Sequence, residues 1–171
     1  MRFLTIVRHA KAERNSSEGT DFARVLNGKG LRQCRQLRKW ASDDIELGRF
    51  GPTTALVSSA ARTMETFRYS FEGTPFAAEH HESSLIYNGL RDVTAEDVLI
   101  DLAAIDSVTT SLMVVGHNPT VLDLLVTLAK DLPTEYSREF PLAGAYVLEL
   151  RDGEPIGPGP YNFVTRFVPE V

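Results

Sequence analysis

The sequence predicts a three-layer α/β/α sandwich with a mostly parallel central sheet. Short β-branched runs are apolar on both faces, as strands covered by helices on both sides are. Segments with helical spacing of apolar residues separate these runs, and alternating strands and helices are typical of a parallel sheet. No repeat, low-complexity tract or break in composition divides the chain. We therefore expect residues 1–171 to form a single domain, a size that can bury its own core.

The strands are predicted from runs of Val, Ile, Leu and Phe bounded by polar residues. Three buried strands are expected, at residues 3–7 (FLTIV), 54–60 (TALVSSA) and 111–117 (SLMVVGH). A short strand is expected near residues 76–79, followed by an irregular segment from residue 80. Two further strands, expected to pair in antiparallel fashion, lie at residues 143–151 and 162–168.

Four helices are predicted between the strands, at residues 31–47, 61–71, 94–105 and 118–130. In the first helix the apolar face includes Cys34 and Ile45. Thr94 is expected to cap the third helix. Asn118 is expected to cap the fourth, with Pro119 at the first helical position.

The composition limits the function classes that need consideration. The chain is 43% hydrophobic and 24% charged, which is typical of a globular protein, and its net charge of −5 argues against a nucleic-acid partner. No stretch approaches the ~18 apolar residues that a membrane span requires, and the N-terminal apolar run is too short for a signal peptide. The single cysteine, Cys34, excludes an internal disulfide and is interpreted as a small buried residue. We therefore expect a cytoplasmic protein with no membrane association.

Polar side chains follow each of the three buried strands at the point where the strand ends. The first strand runs into Arg8 and His9, the second is followed by Arg62, and the third by His117 and Asn118. Ligands bind outside the carboxyl ends of the strands in open parallel sheets. We therefore expect Arg8, His9, Arg62 and His117 to converge, although they are distant in sequence.

Such a cluster is suited to a small, highly charged anion, and a phosphoryl group is the leading candidate. The planar guanidinium matches phosphate oxygens and stays charged at any working pH. A neutral imidazole can attack phosphorus, while arginines and a second imidazole stabilise the charge on the other oxygens. Because the protein supplies these cations itself, neither a metal nor a cofactor is expected.

Three motifs resemble the histidine phosphatase superfamily, which has the phosphoglycerate mutase-like fold. They are RHA at the first strand end, S-S-x-x-R-T-x-E-T after the second strand and V-G-H-N-P after the third. The short length and the stretch DFARVLNGKG, which starts at Asp21, are similar to the SixA-type phosphohistidine phosphatases. This resemblance implies that His9 is a nucleophile that becomes phosphorylated and is then hydrolysed by water. It also implies that the phosphoryl group is held by Arg8, Arg62 and His117, with Asn118 or a backbone N–H assisting.

The sequence departs from the pattern of larger members of this superfamily at the proton donor. Those members carry a Glu a few positions before a Tyr, and if Tyr87 matches that Tyr the position falls near Ser84. Glu82 is the nearest carboxylate and is the predicted donor, with Glu79 and Glu13 as further options. When a phosphohistidine is hydrolysed, the leaving group is an imidazole, which has a pKa of ~6.5 and can leave already protonated. A phosphate ester instead releases an alkoxide, which needs a proton from an acid. A weak or missing acid therefore favours P–N over P–O substrates.

Two other polar groups have plainer interpretations. His80, His81 and Glu82 are adjacent and are a candidate metal site, but neighbouring strand residues point to opposite faces, so a solvated loop is the preferred interpretation. A series of basic residues in the first helix is interpreted as its solvated face, with an acidic protein partner as the alternative: Arg32, Arg35, Arg38 and Lys39.

The function predicted from these residues is a cofactor-independent phosphatase acting on phosphohistidine in a protein. A phosphatase for a small phosphomonoester and a non-catalytic phosphate-binding module are the alternatives. The presence of both histidines and both arginines favours an enzyme over a module. The expected partners are a phosphorylated protein or a small phosphorylated substrate, with inorganic phosphate as product.

Overall fold

The computed structural model describes residues 1–43, 47–89 and 91–170, and a seven-stranded sheet forms its centre. The strands are β1 (Arg2–Arg8), β2 (Thr53–Ser58), β3 (Ala77–Ser83), β4 (Ser111–Gly116), β5 (Ala129–Lys130), β6 (Ala145–Leu150) and β7 (Tyr161–Phe167). The helices are α1 (Gly28–Asp43), α2 (Ala61–Ser70), α3 (Ala95–Ile105) and α4 (Thr120–Leu128), with short 3₁₀ turns at Leu47–Phe50 and Thr134–Ser137.

The strands lie in the order β3-β2-β4-β1-β6-β7-β5, and the sheet is mostly parallel as predicted. The pairs β3–β2, β2–β4, β4–β1 and β7–β5 are parallel. Strand β6 pairs in antiparallel fashion with both β1 and β7, which confirms the predicted pairing of the last two long strands. The parallel run places the carboxyl ends of β2, β4 and β1 side by side.

Alternate residues of each central strand pack into two different cores. In β1, Leu4 and Ile6 face the core beneath α3 and α4, whereas Phe3 and Val7 face the core beneath α1 and α2. All four side chains are buried. This arrangement explains why the strand reads as apolar on both faces, and it gives the three predicted layers.

The helix bounds differ from the predicted ones at α1. This helix starts three residues earlier than predicted, at Gly28, because Asn27 accepts a hydrogen bond from the Gly30 amide at 2.9 Å and satisfies one of its first donors. The predicted continuation through residues 44–46 lies outside the described residues, and the predicted last residue, Leu47, begins a 3₁₀ turn. Cys34 is buried, as expected. At α3 the predicted cap is confirmed, since Thr94 accepts from the backbone of Asp97.

Several local predictions were wrong. The segment from His80 to Glu82 belongs to β3 rather than to a loop, since β3 continues to Ser83, which pairs with Ser58. Because β3 is an edge strand, its exposed polar residues are compatible with strand structure. Asn118 makes no cap, because α4 begins at Thr120 without a side-chain cap bond, and the Asn118 side-chain amide instead donates to Phe140 O at 3.4 Å. Pro119 occupies the cap position rather than the first helical position. The helix also ends at Leu128, two residues before the predicted end, and Ala129–Lys130 form β5.

In the described part of the chain, every helix is too short or too polar to cross a lipid bilayer.

Candidate active site

The four nitrogen-bearing side chains predicted to converge, those of Arg8, His9, Arg62 and His117, lie together at the carboxyl edge of the sheet. Arg8 and Gly116 are register partners at the ends of β1 and β4, so His9 and His117 follow adjacent strands. Their ring centroids are 5.3 Å apart. Arg62 enters from the first turn of α2, and its guanidinium lies 5.9 Å from the Tyr87 ring, whose centroid is 5.7 Å from that of His117.

Two backbone hydrogen bonds, one through its amide and one through its carbonyl, fix the position of His9. Its amide donates to Gly116 O and its carbonyl accepts from the Ala143 amide, each at 3.1 Å. The ring Nδ1 lies 2.8 Å from Ala10 O. A carbonyl oxygen can only accept, so Nδ1 carries the proton and Nε2 keeps a free lone pair. The side chain is therefore oriented, and its unprotonated nitrogen is the one available for attack.

Both histidines are neutral at pH 7. Burial lowers the pKa of His9 from 6.5 to about 4, and Arg62 and Arg8 add to this effect against the opposing bond to Ala10. Burial also lowers the pKa of His117 from 6.5 to about 2, with His9 and Arg62 contributing. A neutral His9 is a competent nucleophile, and a neutral His117 can donate one hydrogen bond.

The cluster is rich in buried polar atoms that have no hydrogen-bond partner. Eight such side-chain atoms occur in the described part of the chain, and five of them belong to this region. They are Arg8 Nε, Ser59 Oγ, Arg62 Nε, His117 Nδ1 and Asn118 Oδ1. Buried donors are normally satisfied, and leaving one unpaired costs roughly 1–3 kcal/mol. Four of the five can donate, so an acceptor-rich anion would satisfy them.

Ser58, the last residue of β2, contacts His117 directly. Its Oγ lies 2.7 Å from His117 Nε2, and both residues are buried. This contact occupies one ring nitrogen and leaves Nδ1 as the unpaired one. Ser58 is the first serine of the S-S-x-x-R-T-x-E-T motif, and the sequence signal for this contact is its position opposite the end of β4.

Asp21 is the site residue that sequence reasoning missed. Its Oδ2 accepts from Tyr87 at 2.6 Å and from Arg62 Nη2 at 3.2 Å, and Arg62 Nη1 also donates to the Asp21 carbonyl at 3.0 Å. Burial by itself raises the pKa of Asp21, but the Tyr87 hydrogen bond and Arg62 outweigh it and lower that pKa below its usual value. Asp21 is therefore ionised at neutral pH.

Arg24 lies beside the same carboxylate. Its Nε donates to Asp21 Oδ1 at 3.0 Å, and its charge contributes to the lowered pKa of His9. The available sequence signal was the three-residue spacing of Asp21 and Arg24, in the stretch that carries the SixA resemblance.

The three carboxylates considered as proton donor differ in position. Glu82 is exposed on β3, and no hydrogen bond or ion pair joins its side chain to the cluster within the described ranges. Glu79 lies towards the other end of the sheet, where Thr54 donates to its Oε1 at 3.3 Å. Glu13 is exposed, and its carbonyl accepts from Arg24 at 2.9 Å.

The two edge-strand histidines contact different neighbours. The His80 ring packs 4.9 Å from Phe67, whereas His81 Nε2 lies 3.9 Å from Glu79. Among the described residues, no group of three His, Cys, Asp or Glu side chains is placed to hold a metal ion.

Solved structures with the same architecture were found by comparison. A protein assigned as the phosphohistidine phosphatase SixA of Agrobacterium tumefaciens is 25% identical, with 98% of this chain and 99% of that chain covered and a TM-score of 0.74. The chain has the histidine phosphatase fold. The protein histidine phosphatase SixA in complex with tungstate matches with 19% identity, 96% and 95% coverage and a TM-score of 0.72.

A more distant match of the histidine phosphatase fold is a phosphoserine phosphatase of Entamoeba histolytica in complex with 3-phosphoglyceric acid. It is 13% identical, covers 99% of this chain and 98% of that chain, and gives a TM-score of 0.59. Neither a protein-family model nor a curated protein sequence matches this chain. The predicted resemblance to the SixA-type histidine phosphatases is confirmed, and it supports a phosphatase acting on a phosphorylated substrate.

Proposed function

We propose that this protein is a cofactor-independent phosphatase that hydrolyses phosphohistidine in a protein through a phosphorylated His9. The observation that carries the proposal is the neutral, oriented imidazole of His9 among buried donors that have no partner. Arg8, Arg62 and His117 would bind the phosphoryl oxygens, and burial lowers the pKa of the Arg8 guanidinium, a cost that a bound anion offsets. Asn118 would bind through its amide group.

The reaction proceeds in two displacements. The lone pair on His9 Nε2 attacks phosphorus, a P–N bond to His9 forms, and the P–N bond to the substrate imidazole breaks. The leaving imidazole carries a proton on its distal nitrogen and departs as a neutral ring. Water then attacks the phosphorylated His9, loses a proton to solvent and releases inorganic phosphate. His9 returns to its neutral state with the proton on Nδ1.

The state of the nearest carboxylate supports a P–N substrate. A general acid needs a pKa near the working pH, but the Tyr87 and Arg62 contacts lower that of Asp21. The predicted donor, Glu82, is exposed on the edge strand. An alkoxide leaving group would need a proton that the ionised Asp21 does not supply, whereas an imidazole leaving group does not need one.

A small phosphomonoester is the second candidate substrate, and one feature favours it. A cavity of about 260 Å³ adjoins the cluster and is lined by Asp21, Arg24, Arg14 and residues of the loop between them. This volume would accommodate a small polar organic group attached to the phosphate.

The test compares phosphate release from a phosphohistidine-bearing protein with release from alkyl and aryl phosphate monoesters. We expect strong preference for phosphohistidine, abolished in His9→Ala. His81→Ala removes an exposed imidazole on the edge strand and serves as the matched control, with activity expected to remain unchanged. Faster turnover of alkyl phosphates would reject the P–N assignment, and phosphate binding without any turnover would support the non-catalytic module instead.

A further inference from the structure

Positive charge on this acidic chain is concentrated in one continuous stretch. Residues 8–39 contain nine of the 18 lysines and arginines but only three of the 23 aspartates and glutamates. Their formal charge is +6, and that of the remaining chain is −11. The stretch comprises the end of β1, His9, the loop that follows it and most of α1.

Five exposed cations of this stretch form a surface that we call the basic face. It consists of Lys11 in the loop and one stripe of α1 made of Lys29, Arg32, Arg35 and Lys39. In the described part of the chain, no ion pair joins any of them to a carboxylate. Acidic side chains near the basic face include the exposed Glu13, two residues beyond Lys11, Asp43 at the end of the helix, and Glu170, which lines a cavity with Lys29 and Arg32.

The basic face begins at the rim of the crevice that contains His9. Lys11 is two residues beyond His9, its amide donates to Gln33 Oε1 at 2.9 Å, and its carbonyl accepts from the Asn27 amide at 3.0 Å. These bonds tie the active-site loop to the first turns of α1. Since a helix rises about 1.5 Å per residue, Lys29 to Lys39 extend the surface by ~15 Å.

Two exposed apolar residues lie in the same loop. Phe22 is 42% exposed and Val25 is 43% exposed. The Phe22 ring packs edge-on against Tyr87 at 5.1 Å, and its carbonyl accepts from the Ala61 amide at 3.0 Å. A fixed, half-exposed aromatic ring among cations is typical of a protein-binding surface, where aromatic residues supply most of the binding energy.

We propose that the basic face, with Phe22 and Val25, docks an acidic protein surface that carries the phosphorylated histidine. This inference rests on the proposed function and specifies the partner. The charge asymmetry orients an acidic partner towards the crevice and raises its association rate. A protein is favoured over a nucleic acid because the apolar pair lies at the rim and the rest of the chain, at −11, repels a long polyanion.

The probes are two synthetic peptides of equal length, each with one phosphohistidine, flanked by glutamates in one and by glutamines in the other. Free phosphohistidine is the third substrate. We expect kcat/KM to be about tenfold higher for the glutamate peptide at low salt, and this preference should shrink at high salt because exposed charges are screened.

The variant Lys29→Glu/Arg32→Glu is expected to lose the preference while hydrolysing free phosphohistidine within about twofold of the wild-type rate. Lys130→Glu/Arg151→Glu makes the same charge change at exposed positions outside the basic face and should keep the preference. Equal kcat/KM for the two peptides overturns the proposal. So does a loss of oligonucleotide binding in Lys29→Glu/Arg32→Glu with no change towards either peptide.

Failure of the proposed function is recognised separately, because the wild-type protein would then hydrolyse none of the three substrates. In that case, fluorescence anisotropy measures how tightly the two unphosphorylated peptides bind and tests docking alone. Tighter binding of the glutamate peptide supports the basic face, and equal affinity overturns it.

Discussion

Ser58 Oγ lies 2.7 Å from His117 Nε2, inside a part of the site where both residues are buried. His117 is the only partner of this hydroxyl among the described residues, so we expect the hydroxyl to donate, because its proton would otherwise be buried unpaired. The His117 proton then lies on Nδ1, the nitrogen that has no partner. Ser58 thereby prepares His117 as a donor towards a phosphoryl oxygen.

Replacing Ser58 tests this relationship. In Ser58→Ala we expect His117 to shift towards the Nε2-protonated tautomer and kcat/KM to fall about tenfold, the typical loss for a hydrogen bond worth ~1 kcal/mol or slightly more. Long-range ¹H–¹⁵N correlation spectra report the tautomer directly. Ser58→Thr keeps the hydroxyl and should restore both properties. A wild-type His117 already protonated on Nε2 contradicts the assignment.

Asp21→Asn tests whether this carboxylate competes with the substrate. An ionised Asp21 pairs with Arg62 and repels an anion, so its neutral isostere should bind inorganic phosphate several-fold more tightly. Isothermal titration calorimetry measures the affinity, and Asp123→Asn, in α4, is the control. Weaker binding in Asp21→Asn would mean that Asp21 helps to hold the anion.

Acid sensitivity follows from the buried neutral state of His9. Its pKa is 6.5 when unfolded and about 4 when folded, so between these values the unfolded chain binds a proton that the folded protein does not. The free energy of unfolding is therefore expected to fall as pH decreases through this window, by roughly 1–3 kcal/mol from His9. Urea denaturation at a series of pH values should show a smaller loss in His9→Asn and an unchanged loss in His81→Asn.

Gly30 is required where α1 meets the active-site loop. A Cβ at this position would overlap the carbonyl oxygen of Lys11, a backbone atom that cannot move without shifting the segment after His9. We expect Gly30→Ala to destabilise the protein by roughly 1–3 kcal/mol and to reduce turnover. At Gly28 a Cβ would meet only the Arg32 Nη1 atom at 3.6 Å, so Gly28→Ala is the matched control with little effect. Thermal unfolding distinguishes the two.

The sequence predicted the elements that depend on local pattern. The apolar strands ending in Arg8, Ser58 and Gly116 were identified because each is buried on both faces, and their parallel pairing brings His9, Arg62 and His117 together. The predicted end of β3 was wrong because an edge strand carries exposed polar residues such as His81, and such residues are also typical of a loop.

The residues that sequence reasoning missed depend on contacts between distant segments. Asp21 reaches the site because its loop folds back on α2, where the Ala61 amide donates to Phe22 O at 3.0 Å. Hydrophobic periodicity carries no information about such a loop. The choice of Glu82 as proton donor relied on spacing from Tyr87, yet Tyr87 donates its hydroxyl proton to Asp21, 66 positions earlier in the chain. The role of Glu82 stays a prediction.

The central claim is attack by His9 Nε2 on phosphorus, and trapping the intermediate tests it most directly. A phosphohistidine substrate labelled at phosphorus is mixed with enzyme in a single turnover and quenched in alkali, which preserves P–N bonds. The label is then located by peptide mapping and ³¹P NMR. We predict label on His9, attached at Nε2, and none in His9→Ala. Phosphate release by His9→Ala at the wild-type rate, without a labelled protein, would contradict the account and indicate direct attack by water.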